Sequence, residues 1–492
     1  MTDHHDIHPN LAVTTRGNLL SARAAAKAGR LLADSPLSRR RVLGGAVSAG
    51  GAVAMAGALS GFNAFAADTS DYKALVCLFF LGGLDCHDAI IPFDTASYNT
   101  WSNGRSALVG RYSGANSRAR SNILQMKGTN DGRQFAMAPE LNPLHQLYQQ
   151  GHVAVAANVG PLIEPANRQQ VQAKSVRVPP RIASHNDQQS IWMSSRPEGA
   201  QEGWGGRFAD IQNAAGANSD TSFAAIGVDG INVFVSGRET LPLFVGQNGA
   251  PDLRGTSGSS YGSGRVPGLV KNHYRDAGAT RRNLFARDYM GKTDRAFRLN
   301  DRIRGVFGNA STGNVSFPDT ALGRKLQTVL KLISQRGELG ARRQVFFVQM
   351  GGFDTHSGQS GTLPRLQAEI AGAMAAFYAG TEALGIQNNV TTFTGSDFGR
   401  TLTSNGDGTD HGWGGHHFVM GGAVSGGRIV GRMPDSGTGH DQDRGQGRLI
   451  PTMAVDQYAA SLGRWFGLSE GELADVLPGL RNFNANAVNF FA

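Results

Sequence analysis

The stretch KALVCLFFLGG, residues 73–83, is the part of the sequence that decides the fold class. After Lys73 every residue is apolar up to Leu81, and two glycines follow at once. A continuous apolar run of this length, without alternating polar positions, is typical of a parallel strand that is buried on both faces of its sheet. Because glycine permits sharp turns, the two glycines indicate that the chain leaves the sheet directly after this strand.

Three further apolar runs predict neighbouring strands in the same sheet. They are HVAVAANV at 152–159, RQVFFVQM at 343–350 and NVTTFT at 389–394. Between the last two runs, apolar residues at three- and four-residue spacings, such as Leu366, Ile370 and Phe377, predict an amphipathic helix. Buried strands that alternate with such helices predict an α/β fold, an α/β/α sandwich with a mostly parallel central sheet. In such sheets, functional sites form where loops leave the carboxyl ends of the strands.

The composition is that of a large, loop-rich globular chain of 492 residues, with 40% hydrophobic residues and 67 glycines. This length suits one large α/β domain with insertions, or two to three average domains. A segment rich in Gly and Ser at 246–268 predicts an insertion near 246–315.

The formal net charge of +9 falls to +5 once residues 1–66 are left out. Basic and aromatic residues do not interleave, so we expect no nucleic-acid partner, and a mildly basic surface suits anionic substrates.

The N-terminal segment predicts export. The residues SRRRVL at 38–43 precede an uncharged stretch rich in Ala and Gly, and the residues AFA at 64–66 form a small–x–small cleavage pattern. An arginine pair, a weakly apolar stretch and such a pattern indicate a twin-arginine signal peptide within 1–66, ahead of a mature domain at 67–492. The partner in export would be the twin-arginine translocase, and the product would be periplasmic or secreted. The alternative is a membrane anchor, but the many glycines and the cleavage pattern favour a removed signal, and no other segment has the ~20 apolar residues of a spanning helix.

The two cysteines, Cys77 and Cys86, stand within and just after the first apolar run. A bridge between them would require the chain to fold straight back on itself. We therefore expect two thiols.

Carboxylates and imidazoles recur where the predicted strands end. They occur in the segments GGLDCHD at 82–88, GGFDTH at 351–356, SDFGR at 396–400 and DHGWGGHH at 410–417, and a further segment, SHNDQ at 184–188, precedes a predicted helix. Carboxylate oxygen and imidazole nitrogen suit zinc, manganese and related divalent ions. The pattern therefore predicts a metal-dependent hydrolase. The alternative is a buried hydrogen-bond network that braces glycine-rich loops.

These same segments carry a resemblance to a known family. From Ala74 to Phe466 the chain resembles the large, mostly uncharacterised family of twin-arginine-exported bacterial proteins related to the alkaline phosphatase and sulfatase superfamily. The resemblance implies an alkaline-phosphatase-like fold with Gly-rich insertions and a divalent metal, zinc or manganese. The metal ligands that it implies are Asp85, Asp354, His356, Asp397 and His411, with a hydrogen bond to the anionic substrate as the alternative role of His411.

The resemblance also directs attention to Ser184, because the nucleophile of the superfamily lies at a helix N-terminus; a role as helix cap is the alternative. We assign Ser184, His185, Arg400 and His416 to the catalytic set, with Arg400 as a bidentate clamp on the anion, although a surface or structural ion pair is the alternative for this arginine. In the phosphatases a histidine ligand follows the later aspartate, whereas here Phe398 does. Either one metal site is lost, or His411 or His416 supplies the missing imidazole.

Together these features predict an exported, metal-dependent hydrolase of phosphate or sulfate esters, with an anionic ester as substrate. The alternative is a non-catalytic periplasmic or cell-surface protein that uses the same fold for binding. We further expect His411 to point into the site and at least one of His416 and His417 to point away, because adjacent residues in a strand face opposite sides.

Overall fold

The structure is a computed structural model that describes residues 69–228, 230, 232–250, 264–280 and 282–491. The predicted signal segment 1–66 lies outside the described residues, and so does part of the Gly- and Ser-rich insertion.

Fourteen strands occur within the described residues, and nine of them form one sheet. In chain order the strands are β1 (Lys73–Phe80), β2 (Ile90–Pro92), β3 (Leu124–Gln125), β4 (Phe135–Met137), β5 (Val153–Gly160), β6 (Ala225–Val228), β7 (Leu243–Val245), β8 (Arg343–Met350), β9 (Val390–Ser396), β10 (Arg400–Ser404), β11 (Thr409–His411), β12 (Gly415–Met420), β13 (Ile429–Val430) and β14 (Met453–Ala454). The four apolar runs of the sequence correspond to β1, β5, β8 and β9.

The central sheet has the order β13-β5-β12-β9-β1-β8-β6-β7, and β14 pairs with β5. Every pairing in it is parallel except the two made by β12, which runs against β5 and β9. The prediction of an α/β fold with a mostly parallel central sheet is therefore confirmed. In register, Phe80 pairs with both Met350 and Ser396, so β1, β8 and β9 end at the same level. The loops that follow these three strands consequently leave from one edge.

Helices cover both faces of this sheet. In chain order they are α1 (Cys86–Ala89), α2 (Thr95–Gly104), α3 (Ser106–Val109), α4 (Asn142–Gln150), α5 (Arg168–Gln172), α6 (His185–Ser194), α7 (Trp204–Ala214), α8 (Val266–Thr280), α9 (Leu284–Phe307), α10 (Ala321–Ser334), α11 (Gln359–Ala383), α12 (Val455–Phe466) and α13 (Glu470–Val476). Side chains of α4, α10 and α11 belong to one hydrophobic core, and those of α6, α7, α12 and α13 belong to a second.

Strand β1 shows why the sheet is apolar on both sides. Its side chains alternate between the two cores: Val76 and Phe80 pack in the first, and Leu75 and Phe79 in the second. Because both faces are covered, no position of the strand can be polar without the cost of burying an unpaired group. Helix α11 likewise buries Leu366, which belongs to the predicted amphipathic face.

Both cysteines are buried thiols, as expected from the sequence, and burial raises the pKa of Cys86 to about 12. Within the described residues, no helix combines the length and the apolar character that crossing a bilayer requires.

Candidate metal centre

Three separate segments meet beyond the carboxyl edge of the sheet. Asp354 lies in the loop after β8, His411 ends β11, and His185 is the first residue of α6. Strand β11 is brought there because it pairs with β10 in a two-stranded ribbon, in which Arg400 is opposite His411. The possible ligand atoms of His185, Asp354 and His411 all lie within 4.8 Å of one another.

His356 joins this group, and three imidazoles surround a single carboxylate. His356 Nε2 and His411 Nε2 are each 3.1 Å from Asp354 Oδ1, and they are 2.9 Å from each other. His185 Nε2 is 3.7 Å from Asp354 Oδ2. In all three rings, therefore, the same nitrogen faces the same carboxylate.

The other nitrogen of each ring is held by an acceptor on the far side. Nδ1 of His411 lies 2.9 Å from the carbonyl oxygen of Ala183. Nδ1 of His185 lies 2.5 Å from Asp397 Oδ2, and Nδ1 of His356 lies 3.3 Å from Asp410 Oδ1. Because a carbonyl or an ionised carboxylate can only accept, each Nδ1 donates a proton, and in a neutral imidazole Nε2 is then left with its lone pair.

Arg400 holds the central carboxylate in place. Its Nη1 donates to Asp354 Oδ1 at 3.0 Å and to the carbonyl oxygen of Gly82 at 2.7 Å, and its Nε donates to Thr409 Oγ1 at 2.9 Å. Partial burial opposes ionisation of Asp354, but Arg400 and His411 outweigh it and keep the pKa of this carboxyl below its usual value. Nearly half of the Asp354 side chain (46%) is nevertheless exposed, so a ligand can reach it.

The same contacts revise the interpretation of Arg400 as a clamp on an anion. The Arg400 side chain is fully buried, and its nitrogens donate to protein groups, including Nη2 to the carbonyl oxygen of Thr409. It therefore acts as a positioning residue for Asp354, which corresponds to the structural ion pair that the sequence left open.

Asp397 orients His185. It is fully buried, and its Oδ2 accepts from His185 Nδ1, from the backbone N–H of Gly82 at 3.1 Å and from Gln189 Nε2 at 3.1 Å. The hydrogen bond and the charge of Asp397 raise the pKa of His185 above its usual value, although partial burial acts in the opposite direction. A carboxylate that fixes the outer nitrogen of an imidazole is the usual partner of a metal-bound histidine.

Asp85 follows β1 at the expected edge, but it is not part of this group. Both of its oxygens are bound by Arg105 in a pair whose two side chains are fully buried, and Gln359 Nε2 donates to Oδ2 at 2.6 Å. Because Arg105 and Gln359 occupy the carboxylate, the structure assigns Asp85 to a buried ion pair and not to the histidine cluster.

His416 and His417 also lie outside the group. His416 is buried, and its Nδ1 accepts from the backbone N–H of Asn158 at 3.0 Å. Its burial lowers its pKa well below the usual value, and burial lowers the pKa of His417, which stacks edge-on against Trp192 at 4.9 Å, to about 3. Both rings are therefore neutral core residues, and of the two histidines considered for the missing imidazole, His416 does not supply it. Of the three histidines in 411–417, His411 alone points into the site.

Ser184 lies beside the cluster as the N-cap residue of α6. Its backbone is extended and its hydroxyl does not cap the helix, so the alternative role of helix cap is not realised. The first N–H groups of α6 have no acceptor within the helix, as at any helix N-terminus. Within the described residues the Ser184 hydroxyl has no hydrogen-bond partner, and it stands at a helix end that favours anions.

The geometry of the cluster fits a divalent metal. Zn–N bonds of about 2.0–2.1 Å separate two ligand nitrogens by roughly 3.3 Å. The Nε2–Nε2 distance of 2.9 Å and the Nε2–Oδ1 distances of 3.1 Å are close to this value. Two lone pairs that face each other at 2.9 Å repel unless a proton or a cation lies between them. Asp397 Oδ1 is in addition buried and accepts no hydrogen bond from the described residues. His185, Asp354 and His411 are therefore the residues that would hold the ion, and His356, which lies against His411 and Asp354, is a further candidate ligand.

Sequence reasoning missed two features of this cluster. The imidazole beside Asp397 is that of His185, which we had placed among the catalytic residues, and its ring lies against Phe398 with centroids 4.9 Å apart. Asp410, the orienting partner of His356, was not singled out. One local signal was present, because Gln189 follows His185 by four residues and thus shares its helix face, from which both reach Asp397.

Comparison with known proteins places the chain in a family. Residues 72–477 match the profile of a family described as "Protein of unknown function (DUF1501)". No curated protein matches. Among solved structures, the chain is similar to the C-terminal periplasmic domain of EcEptC from Escherichia coli in complex with Zn, at 10% identity and a TM-score of 0.33, covering 87% of this chain and 94% of that one. It is also similar to the PsFucS1 sulfatase from Pseudoalteromonas sp., at 11% identity and a TM-score of 0.32, covering 86% of this chain and 70% of that one.

Proposed function

Because the chain belongs to DUF1501, a family of proteins of unknown function, its activity has to be argued from its site, and we propose that it is an exported, metal-dependent hydrolase of phosphate or sulfate esters. One observation carries this proposal: three imidazole Nε2 atoms converge on Asp354 while each Nδ1 is bound to an acceptor behind it. A donor set of three nitrogens and one carboxylate oxygen suits zinc, and manganese is the alternative.

The residues around the cluster have complementary tasks. When bound, the metal would polarise an ester oxygen and lower the pKa of a nucleophile or of a water molecule. Arg400 keeps Asp354 ionised and in position, and Asp397 keeps the lone pair of His185 directed at Asp354. The N–H groups at the start of α6 can bind the oxygens of a phosphate or sulfate group.

Ser184 is the proposed nucleophile. Its hydroxyl precedes the ligand His185 in the chain, stands at the N-terminus of α6 and is not used for capping. This combination favours catalysis over the alternative of a protein that only binds an anion. Ser184→Ala should therefore abolish ester cleavage while the purified protein keeps its metal.

The decisive experiment measures metal and activity together. We expect the purified protein to contain about one zinc or manganese ion per chain and to cleave at least one member of a panel of phosphate monoesters, phosphate diesters and sulfate esters. His411→Ala should lower metal content or activity by at least about tenfold, the scale for loss of a ligand or of its orienting neighbour.

The control for this substitution is His273→Ala, which removes an exposed histidine on α8 far along the chain from the cluster. This control should leave the metal content and the ester-cleaving activity unchanged. Metal binding without cleavage of any ester would support the binding-protein alternative, and equal metal content in wild type and His411→Ala would refute the proposed centre.

A further inference from the structure

Exposed apolar side chains are concentrated in one part of the described chain. Six large ones are exposed there, and all fall within residues 241–289. The most exposed is Phe285 at 85%, followed by Leu269, Leu284 and Tyr289. A scattered exposed leucine needs no explanation, but such a concentration usually marks an interaction surface.

Most of these residues belong to a helical hairpin formed by α8 and α9, which pack against each other through aromatic contacts. Tyr274 of α8 lies edge-on to Phe297 and Tyr289 of α9, at centroid distances of 5.4 and 6.3 Å. The hairpin therefore buries some of its aromatic surface internally. Leu284 and Phe285 are left outside because they stand at the turn, where α8 has ended at Thr280 and α9 begins.

A side-chain cap fixes the start of α9. Asn283 is the N-cap of α9, and its Oδ1 accepts from the backbone N–H of Ala286 at 3.0 Å. This bond fixes the direction in which Leu284 and Phe285 leave the chain. Tyr289 follows Phe285 by four residues and so extends the same apolar face along the helix. We call Arg282, Leu284, Phe285, Arg287 and Tyr289 the hairpin tip.

The hairpin carries an excess of positive charge. Its described side chains between 264 and 308 include ten Lys and Arg but only four Asp. All four carboxylates pair with bases of the hairpin: Asp276 with Arg275, Asp288 with Lys292, Asp294 with Arg298, and Asp301 with Lys271. Arg282 and Arg287 at the tip are exposed and form no ion pair with another described residue. The net charge that the tip presents is therefore positive.

We propose that the hairpin tip docks the protein on an anionic lipid surface. Leu284, Phe285 and Tyr289 would enter the interface between headgroups and acyl chains, and Arg282 and Arg287 would contact lipid phosphates. An apolar patch flanked by unpaired arginines is the combination that interfacial binding uses, since each part alone binds weakly. An anionic polysaccharide would use the arginines and leave the phenylalanine in water.

This docking is separate from the histidine cluster. The proposal concerns residues that make no contact with the proposed metal ligands, so it can fail while the hydrolase proposal stands, and the reverse also holds.

The test is sedimentation of the purified full-length protein with vesicles of phosphatidylcholine, with and without phosphatidylglycerol. We expect binding to the vesicles that contain phosphatidylglycerol and a loss of binding as salt rises. Leu284→Ser combined with Phe285→Ser should lower partition at least about tenfold, because two apolar side chains no longer leave water. Arg282→Ala combined with Arg287→Ala should lower it by about fivefold for each arginine.

The matched control is Leu269→Ser. Leu269 is also exposed, but it stands in the first turn of α8, eleven residues before the helix ends and thus roughly 16 Å from the tip. It should bind vesicles as wild type does. Because every protein of the series carries the same residues 1–66, differences among them report the hairpin tip alone.

Three results would overturn the proposal. They are equal binding to vesicles without phosphatidylglycerol, wild-type binding by both tip variants, and a wild-type protein that binds no vesicles. A concentration-dependent increase in mass that disappears when Leu284→Ser and Phe285→Ser are combined, without vesicle binding, would instead assign the tip to contact with a second copy of the chain.

Discussion

Arg105 and Asp85 form a buried ion pair, and this pair distinguishes a structural role for Asp85 from a role as metal ligand. Asp85→Asn leaves the arginine without a counter-charge in a position where both side chains are fully buried. Breaking such a pair costs about 3–5 kcal/mol of folding free energy. We therefore expect urea unfolding at a much lower midpoint, with an unchanged metal content in the protein that remains folded.

Asp276→Asn is the control, because it removes one partner of an exposed pair on α8 and should change the unfolding midpoint little. If Asp85→Asn lost its metal and kept its stability, Asp85 would be a ligand after all.

Asp456, in the first turn of α12, makes stability depend on pH. Burial raises its pKa to about 6, although Ser195 Oγ donates to its Oδ1 at 2.6 Å. Between about pH 4 and pH 6 the folded chain keeps a proton that the unfolded chain releases, so this group lowers stability as pH rises. The rise from 3.8 to about 6 corresponds to about 3 kcal/mol.

Asp456→Asn keeps an oxygen that can accept from Ser195 and carries no charge at any pH. Relative to wild type, the variant should gain stability between pH 4 and pH 7.5, as urea unfolding at both pH values would measure. A parallel pH dependence in the two proteins would mean that Asp456 is ionised without cost in the folded state.

At the scale of elements, the turn between β11 and β12 depends on a close approach of two glycines. A Cβ built on Gly412 would lie 2.4 Å from the carbonyl oxygen of Gly399, so only glycine fits there. Gly412→Ala should push the ribbon of β10 and β11 outward and move His411 away from Asp354. We expect metal affinity to fall at least about tenfold although no ligand is changed, as isothermal titration would measure.

Gly361→Ala is the matched control, because a Cβ at this position in α11 meets no other atom within 4 Å. It should bind metal as wild type does. An unchanged affinity in Gly412→Ala would show that the ribbon can shift without moving His411.

The elements also show what the sequence could and could not predict. Burial on both faces imposes an unbroken apolar run, so the sequence predicts the strands β1, β5, β8 and β9. It thereby also predicts the sheet edge that carries Asp354 and Asp397. The position of His185 beside Asp397 could not be predicted from the sequence. Its contact with Asp397 spans 212 residues and depends on the path of a loop that has no apolar periodicity. The pairing of Asp85 with Arg105 could not be predicted for a related reason, since Arg105 follows in a short helical region that no motif marked.

For the whole molecule, export remains a prediction from residues 38–66, which lie outside the described part of the chain. Because the translocase would read the arginine pair, replacing Arg39 and Arg40 with Lys should leave the precursor in the cytoplasm. Fractionation followed by immunoblotting measures this, and the mature protein of the wild type should begin near Ala67. An undiminished periplasmic yield of the variant would contradict a twin-arginine signal.

The position of β1 at the centre of the sheet has a consequence for how the chain is made. Its neighbours are β8 and β9, and Lys73 pairs with Arg343, 270 residues later. At a synthesis rate of about 5–20 residues per second, β1 leaves the ribosome roughly 15–50 s before its first partner exists. The most apolar strand of the nascent chain therefore waits unpaired, exposed to chaperones and to aggregation. Assembly of the central sheet is consequently a late event in synthesis, and any premature stop before β8 would prevent it.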